Sequence, residues 1–202
     1  MSQIKTDLVL DLGSANADLA TVGGKGAALA EMVWVGLPVP DGFHVTTAAY
    51  QAFVAVNDLD AVIDAALAAA DPDLPSSLER VAAAIRTAFE AGMIPAEVAG
   101  AIARAYAGLP GAEPVVAVRS SATAEDLPDL SFAGQQETFL NIWGVDAVLT
   151  AVQRCWASLW TARAIGYRAR HAILPERLSL AVVVQQLAPA EVAGILFTAN
   201  PL

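Results

Sequence analysis

Apolar residues along this chain recur at helical spacing up to about Pro114 and in β-type runs after it. Asp7–Leu12 (DLVLDL) predicts a short strand. Ala27–Val35 predicts a helix opened by glycines, with Leu29, Met32 and Val33 on one face. Gly36 and the Pro38/Pro40/Gly42 cluster end it. Thr46 or Thr47 is placed to cap a following helix whose apolar stripe is Tyr50, Phe53 and Val54. Residues 58–108 read as helices with breaks. Asp71-Pro72 interrupts them, and Ser76 with Glu79 forms a capping box for a helix carrying Leu78, Val81, Ala82, Ile85 and Phe89. Gly92 stops that helix, and Pro95 opens another that runs through Tyr106.

After Pro114, β-branched residues dominate. PVVAVRS predicts a buried strand. ETFLNIW predicts a second, with Thr138, Leu140 and Ile142 on one face and Phe139, Asn141 and Trp143 on the other. Asp146–Arg163 has the period of a helix carrying Val148, Val152, Cys155, Leu159, Trp156 and Trp160. LSLAVVVQQL stays apolar until Gln185, which predicts a central strand, and AGILFTANPL predicts one more. The resulting class is α+β: a helical first half, then a β-sheet with one long helix.

Composition narrows the function. The chain has 202 residues, 56% of them hydrophobic, and a formal net charge of -10. It is long enough to bury a core, and its acidity excludes the basic face that a nucleic-acid partner needs. A nucleotide needs only a few well-placed cations. Lysines occur at positions 5 and 25 alone, and three of the nine arginines (Arg163, Arg168, Arg170) crowd one segment, where a structural or interfacial role is expected. The single cysteine, Cys155, forms no internal disulfide, in keeping with a cytoplasmic location, and it is expected to be a buried helix residue. The N-terminus is too short and polar for a signal peptide. Charges interrupt every apolar run before the roughly 18 residues of a membrane span.

Two stretches carry candidate chemistry. In VGGKGAA, Gly23, Gly24 and Gly26 permit close backbone approach and Lys25 adds a point charge at a helix start, where the dipole favours an anion. It is not a Walker loop, because Gly26 follows Lys25 where Ser or Thr would stand. The same residues also read as a plain glycine turn with a surface lysine. In AVRSSATAEDLPDLSFAGQQET, Arg119 leaves a strand as a planar fork suited to phosphate oxygens, beside Ser120, Ser121 and Thr123. Ser131–Gln136 reads as a turn in which Gly134 lets the backbone reach an anion. The alternative is an arginine paired with Glu125 or Asp126 in a structural loop. Gln185 and Gln186 read as a strand end reaching solvent.

In order, GGKGAALAEM, PVPDGFHVTTAAY, VAVRSSATAEDLPDLSFAGQQETFLNI, CWASLWTARAIGYR, LAVVVQQL and AGILFTANP resemble the N-terminal nucleotide-binding region of the family of phosphoenolpyruvate synthase, pyruvate phosphate dikinase and rifampicin phosphotransferase. CWASLWTARA and VVVQQLAPAEVAGILFTANP are most similar to the last of these. The resemblance covers nearly the whole chain and is weakest over residues 57–112. It implies that residues 1–202 are a single N-terminal, ATP-grasp-type region, a fragment of a larger multidomain phosphotransferase. It also implies that Lys25 and Arg119 hold ATP phosphates, that Gly134 and Thr138 lie on the loop and strand folding over them, and that Gln185 stands at the hinge beside the adenine.

The family relays phosphate through a histidine on another domain. Neither His44, in a turn leading into a helix, nor His171, at an Arg-rich helix end, has the setting of that residue, so no catalytic residue is expected in this fragment. Magnesium is implied with ATP, but its ligands are expected outside the chain; Glu125, Asp126 and Asp129 are not assigned to it. The small-molecule acceptor, a rifamycin or pyruvate, is expected on other domains. The rival reading is a non-catalytic nucleotide-binding or regulatory module.

Overall fold

The computed structural model describes residues 7–123, 137–170, 178–192 and 194. The Ser131–Gln136 turn with Gly134, the carboxylates Glu125, Asp126 and Asp129, His171 and the predicted strand after Gly194 lie outside the described residues.

The elements run β1 (Val9–Asp11), α1 (Leu19–Trp34), β2 (Gly42–Val45), α2 (Thr47–Val56), α3 (Leu59–Ala68), α4 (Pro75–Ala91) and α5 (Ala96–Ala107). They continue with β3 (Val116–Ala122), β4 (Thr138–Ile142), α6 (Val145–Ser158), α7 (Ala162–Arg170) and β5 (Leu180–Gln186). The class is α+β as predicted, but the halves are not separate. The strands form one sheet of order β1-β2-β5-β3-β4, antiparallel throughout, so two strands of the first half belong to it. β5 is central, and its apolar run is buried on both faces.

Antiparallel partners share a face, so the register assigns each side chain. Phe43, Val184, Val118 and Phe139 form one row, which packs with Val45, Val182 and Leu180 against α2–α7 in the main core. Tyr50, Phe53, Phe89 and Trp156 gather there, with ring centroids 4.9 Å apart for Phe53 and Trp156. The opposite face carries α1 and a smaller core of Leu10, Ala17, Val22 and Ala30.

Several local expectations are corrected. α1 begins at Leu19, capped by the Asp18 carboxylate on the Thr21 N–H at 2.8 Å, and the glycines form a kink inside it. Its predicted face is wrong as well: Met32 and Val33 are exposed, and Val22 and Ala30 are the buried apolar residues. The Ser76/Glu79 capping box does not form. α4 opens at Pro75, and Ser77 Oγ instead accepts the Asp71 N–H. Thr46 is the N-cap residue of α2, but its hydroxyl donates to Asp7 O at 2.8 Å and so ties the helix start to the segment entering β1. Pro95 is the residue before α5 rather than its first.

β4 does not alternate through its length. Asn141 takes a positive φ of 57°, and the half-buried residues are Phe139 and Ile142, on either side of it. The long helix predicted over Asp146–Arg163 is two helices. The break at Leu159–Thr161 lets Trp160 turn into the core, and Arg168 of α7 donates to Leu159 O at 2.8 Å and lies over the Trp160 ring at 4.9 Å. Arg168 is therefore structural, while Arg163 is exposed; the Arg170 side chain lies outside the description. Cys155 is fully buried, and burial pushes its thiol well above the ordinary range.

Candidate nucleotide site

The two chemistry-bearing stretches, about ninety-five residues apart, meet on the α1 face of the sheet. The meeting is built on one kink. Gly23 has φ 71° and ψ 176°, which breaks α1 after its first turn, and a side chain there would collide with Ser121 O. Ser121, fully buried on β3, bridges the break. Its hydroxyl donates to Val22 O at 2.7 Å and accepts the Gly26 N–H at 3.1 Å. The segment Gly23–Gly26 is thereby fixed against β3. Lys25 points along it, and its Nζ donates to Ser120 O at 3.1 Å. The glycines are thus a docking kink and not the opening of a helix as the sequence suggested.

Register gives the rest. Leu10, His44, Val183, Arg119 and Thr138 are successive partners across all five strands, so they form one lateral row on the α1 face. Ala117, Gln185 and Gly42 form the next row on the same face, two residues along, which is roughly 7 Å. Of the five predicted site residues, Lys25, Arg119, Thr138 and Gln185 therefore share one side of the sheet, and Gly134 lies outside the described residues.

Arg119 is half-buried, and its guanidinium makes no ion pair among the described residues; Glu125 and Asp126, the partners of the alternative reading, lie outside them. Thr138 is exposed. Gln185 is half-buried, and its side-chain amide donates to Pro40 O at 3.2 Å, while Gln186 donates to Pro110 O at 3.2 Å. The Gln186 and Leu187 N–H groups are held by Asp41 O and Val115 O. The arrangement offers two cations, one flexible on a helix and one forked on a strand, next to backbone that glycine brings close. It suits a polyanion lying along the α1 face. Among the described residues, no three His, Cys, Asp or Glu side chains gather into a metal-holding group. No helix among them is long and apolar enough to cross a membrane.

His44 was missed. The Pro38/Pro40/Gly42 cluster reads as a turn, but Gly42–Val45 is β2, and His44 is fully buried in the row that holds Arg119. The alternation Phe43–His44–Val45, with apolar residues flanking a polar one, was the available signal.

Comparison with known proteins shows the family of the chain. Residues 19–202 match the family described as pyruvate phosphate dikinase, AMP/ATP-binding domain. The chain is 46% identical over 205 residues to rifampicin phosphotransferase of Streptomyces sviceus, covering 100% of this chain and 23% of that protein. It is 45% identical over 188 residues to a probable phosphoenolpyruvate synthase of Methanothermobacter thermautotrophicus, covering 91% of this chain and 28% of the relative. It is 42% identical over 221 residues to phosphoenolpyruvate synthase of Pyrococcus furiosus, covering 92% and 27%. The chain thus spans about a quarter of the length of the curated relatives it matches. With the glycine segment, the β3 arginine and the sheet face they share, this chain belongs to the pyruvate phosphate dikinase AMP/ATP-binding domain family.

Proposed function

We propose that this chain is the ATP-binding part of a dikinase-type phosphotransferase, the front portion of an ATP-grasp module within a larger cytoplasmic enzyme. In that enzyme ATP and water yield AMP, inorganic phosphate and a phosphorylated histidine on another domain. The histidine then passes its phosphoryl group to a small acceptor. The observation that carries this reading is the shared face: Lys25 is fixed beside Ser120, Arg119 rises next to it, and Thr138 and Gln185 stand on the same side of the sheet.

The roles are those the family resemblance implies, and the face shared by Lys25, Arg119, Thr138 and Gln185 supports them. Lys25 and Arg119 hold the phosphates, Gly134 and Thr138 belong to the segment that covers them, and Gln185 lies by the adenine. Magnesium would neutralise phosphate charge when bound, with its ligands supplied from outside this chain. Rifampicin is the acceptor favoured by the 46% relative, and pyruvate is the second reading, supported by relatives at 45% and 42%.

Phosphoryl transfer is mostly positioning and charge stabilisation, and the charge moves during the reaction. A guanidinium on a rigid strand gains contact as it moves, whereas an adenine contact binds ground and transition states alike. In the full-length enzyme, Arg119→Ala is expected to lower turnover by roughly a hundredfold or more, the scale of one lost pre-organised donor. Arg119→Lys rescues it poorly, because the fork is gone. Substitution of Gln185 mainly raises KM for ATP. Steady-state kinetics on folded variants, with AMP release followed in the presence of rifampicin or pyruvate, test both the roles and the acceptor. Near-normal turnover in Arg119→Ala would sink the assignment of the arginine.

A further inference from the structure

The His44 ring lies beneath the docking kink. It is fully buried on β2, on the α1 face. Its Nε2 is 3.2 Å from Leu12 O, and a carbonyl only accepts, so Nε2 carries the hydrogen. In the neutral ring Nδ1 is then a bare lone pair. It is buried and has no hydrogen-bond partner among the described residues. It faces Gly26, where an added Cβ would come to 3.2 Å from Nδ1 and to 2.8 Å from the Val22 side chain. The imidazole is therefore the floor on which the kinked segment rests, with its unprotonated edge against the backbone of Gly26.

We propose that His44 is a positioning residue for the nucleotide segment: its neutral imidazole seats Gly23–Gly26 on the sheet and thereby sets Lys25 beside Ser120. The role in nucleotide binding rests on the function proposed above; the seating does not. A proton on Nδ1 would add a buried N–H that points at a glycine Cα with no acceptor, and a desolvated charge. Among the described residues, no neighbour is placed to compensate it. The ionisable group of the kinked segment is Lys25, and that of the same row on β3 is Arg119, both cations. β1 and β5 present Leu10 and Val183 in this row, and Asp11 pairs with Phe43 on the other face. The Asp18 carboxylate is held by the Thr21 N–H.

Burial accordingly holds the ring below its ordinary titration range, outweighing the bond to Leu12 O. The sign follows. The unseated histidine takes a proton as pH falls through about 6.5, while the seated one resists. Seating is thus undisturbed above that pH and weakens below it, by up to about tenfold per pH unit. Saturating ATP would pull the segment back, so the loss reads as a rise in KM for ATP with turnover held.

Hydrogen–deuterium exchange by mass spectrometry on the full-length enzyme tests this between pH 5.5 and 7.5. Exchange at the imidazole C2 position reports the protonation of His44 directly, and amide exchange over residues 22–26 reports seating. Seating predicts a depressed C2 titration midpoint and amide exchange that, corrected for its intrinsic rate, quickens about tenfold per pH unit below 6.5. His44→Gln keeps an N–H for Leu12 O but does not titrate, so its amide exchange and its KM for ATP should lose the acid dependence. An ordinary His44 midpoint in the wild type, which needs no variant, overturns the proposal. So does a His44→Gln enzyme whose amide exchange keeps the wild-type pH profile. If exchange follows His44 while KM for ATP does not change with pH, the seating stands and the nucleotide assignment of the segment fails.

Discussion

Ser121 joins two elements through a single oxygen. With its hydroxyl gone, Val22 O and the Gly26 N–H lose their side-chain partner in a buried place. The cost of leaving such groups unsatisfied is about 1–3 kcal/mol each. Ser121→Ala is therefore expected to lower the denaturant midpoint and to weaken ATP binding in the same variant, measured by chemical unfolding and by calorimetric titration. Ser121→Thr, which keeps the oxygen, should recover much of the binding if its methyl is accommodated. At this scale the sequence was a good guide wherever the strand period applied. The strand carrying Arg119 was read correctly, but Ser121, read with Ser120 and Thr123 as a donor to an anion, lies on the strand itself and gives its hydroxyl to Val22 O. His44 was hidden because prolines and a glycine immediately before it imitate a turn, and only pairing with β5 makes it a strand residue.

Among the elements, the long periodic ones were legible and the short strand β2 and the joints were not. Long, strongly periodic segments such as α4 and α6 appear where their apolar spacing predicts. The break between α6 and α7 does not, because no glycine or proline marks Leu159–Thr161. What ends α6 is tertiary: Trp160 turns inward, and Arg168 reaches back to the Leu159 carbonyl, supporting the C-terminal end of the preceding helix and stacking on the indole. Burial lowers the pKa of this guanidinium to about 10, so it stays charged at neutral pH. Arg168→Ala removes a charge-assisted bond, a ring contact and core volume at once. A loss of roughly 2–4 kcal/mol is expected, read as a lower unfolding midpoint. Arg168→Lys should restore only part of it, because lysine lacks the planar face. Turnover per folded molecule should remain near normal. A rise in KM for ATP at unchanged stability would instead tie this arginine to the nucleotide site.

For the whole molecule, the chain spans about a quarter of its relatives' length, and the groups that complete phosphoryl transfer are expected elsewhere. Two cations on one face can hold a polyanion, but they do not supply the relay. The purified 202-residue chain is thus expected to release no AMP from ATP, even if it binds the nucleotide. AMP formation by preparations free of contaminating kinase would overturn this.

The order of strands has a further consequence. β5 is the last described strand in sequence and the middle one in space, lying between β2 and β3. As the chain emerges from the ribosome, β1–β2 and β3–β4 can each pair early, but no strand joins the two pairs into one sheet until β5 arrives. At the usual rates of synthesis, β5 is complete only a few seconds after the end of β4. Until then each pair presents a bare inner edge, and the row from His44 to Arg119 does not exist. The nascent protein passes through a stage in which its apolar first half is already made and its sheet is open. A chaperone that covers exposed strand edges, or a slow stretch of codons before β5, would act at that stage.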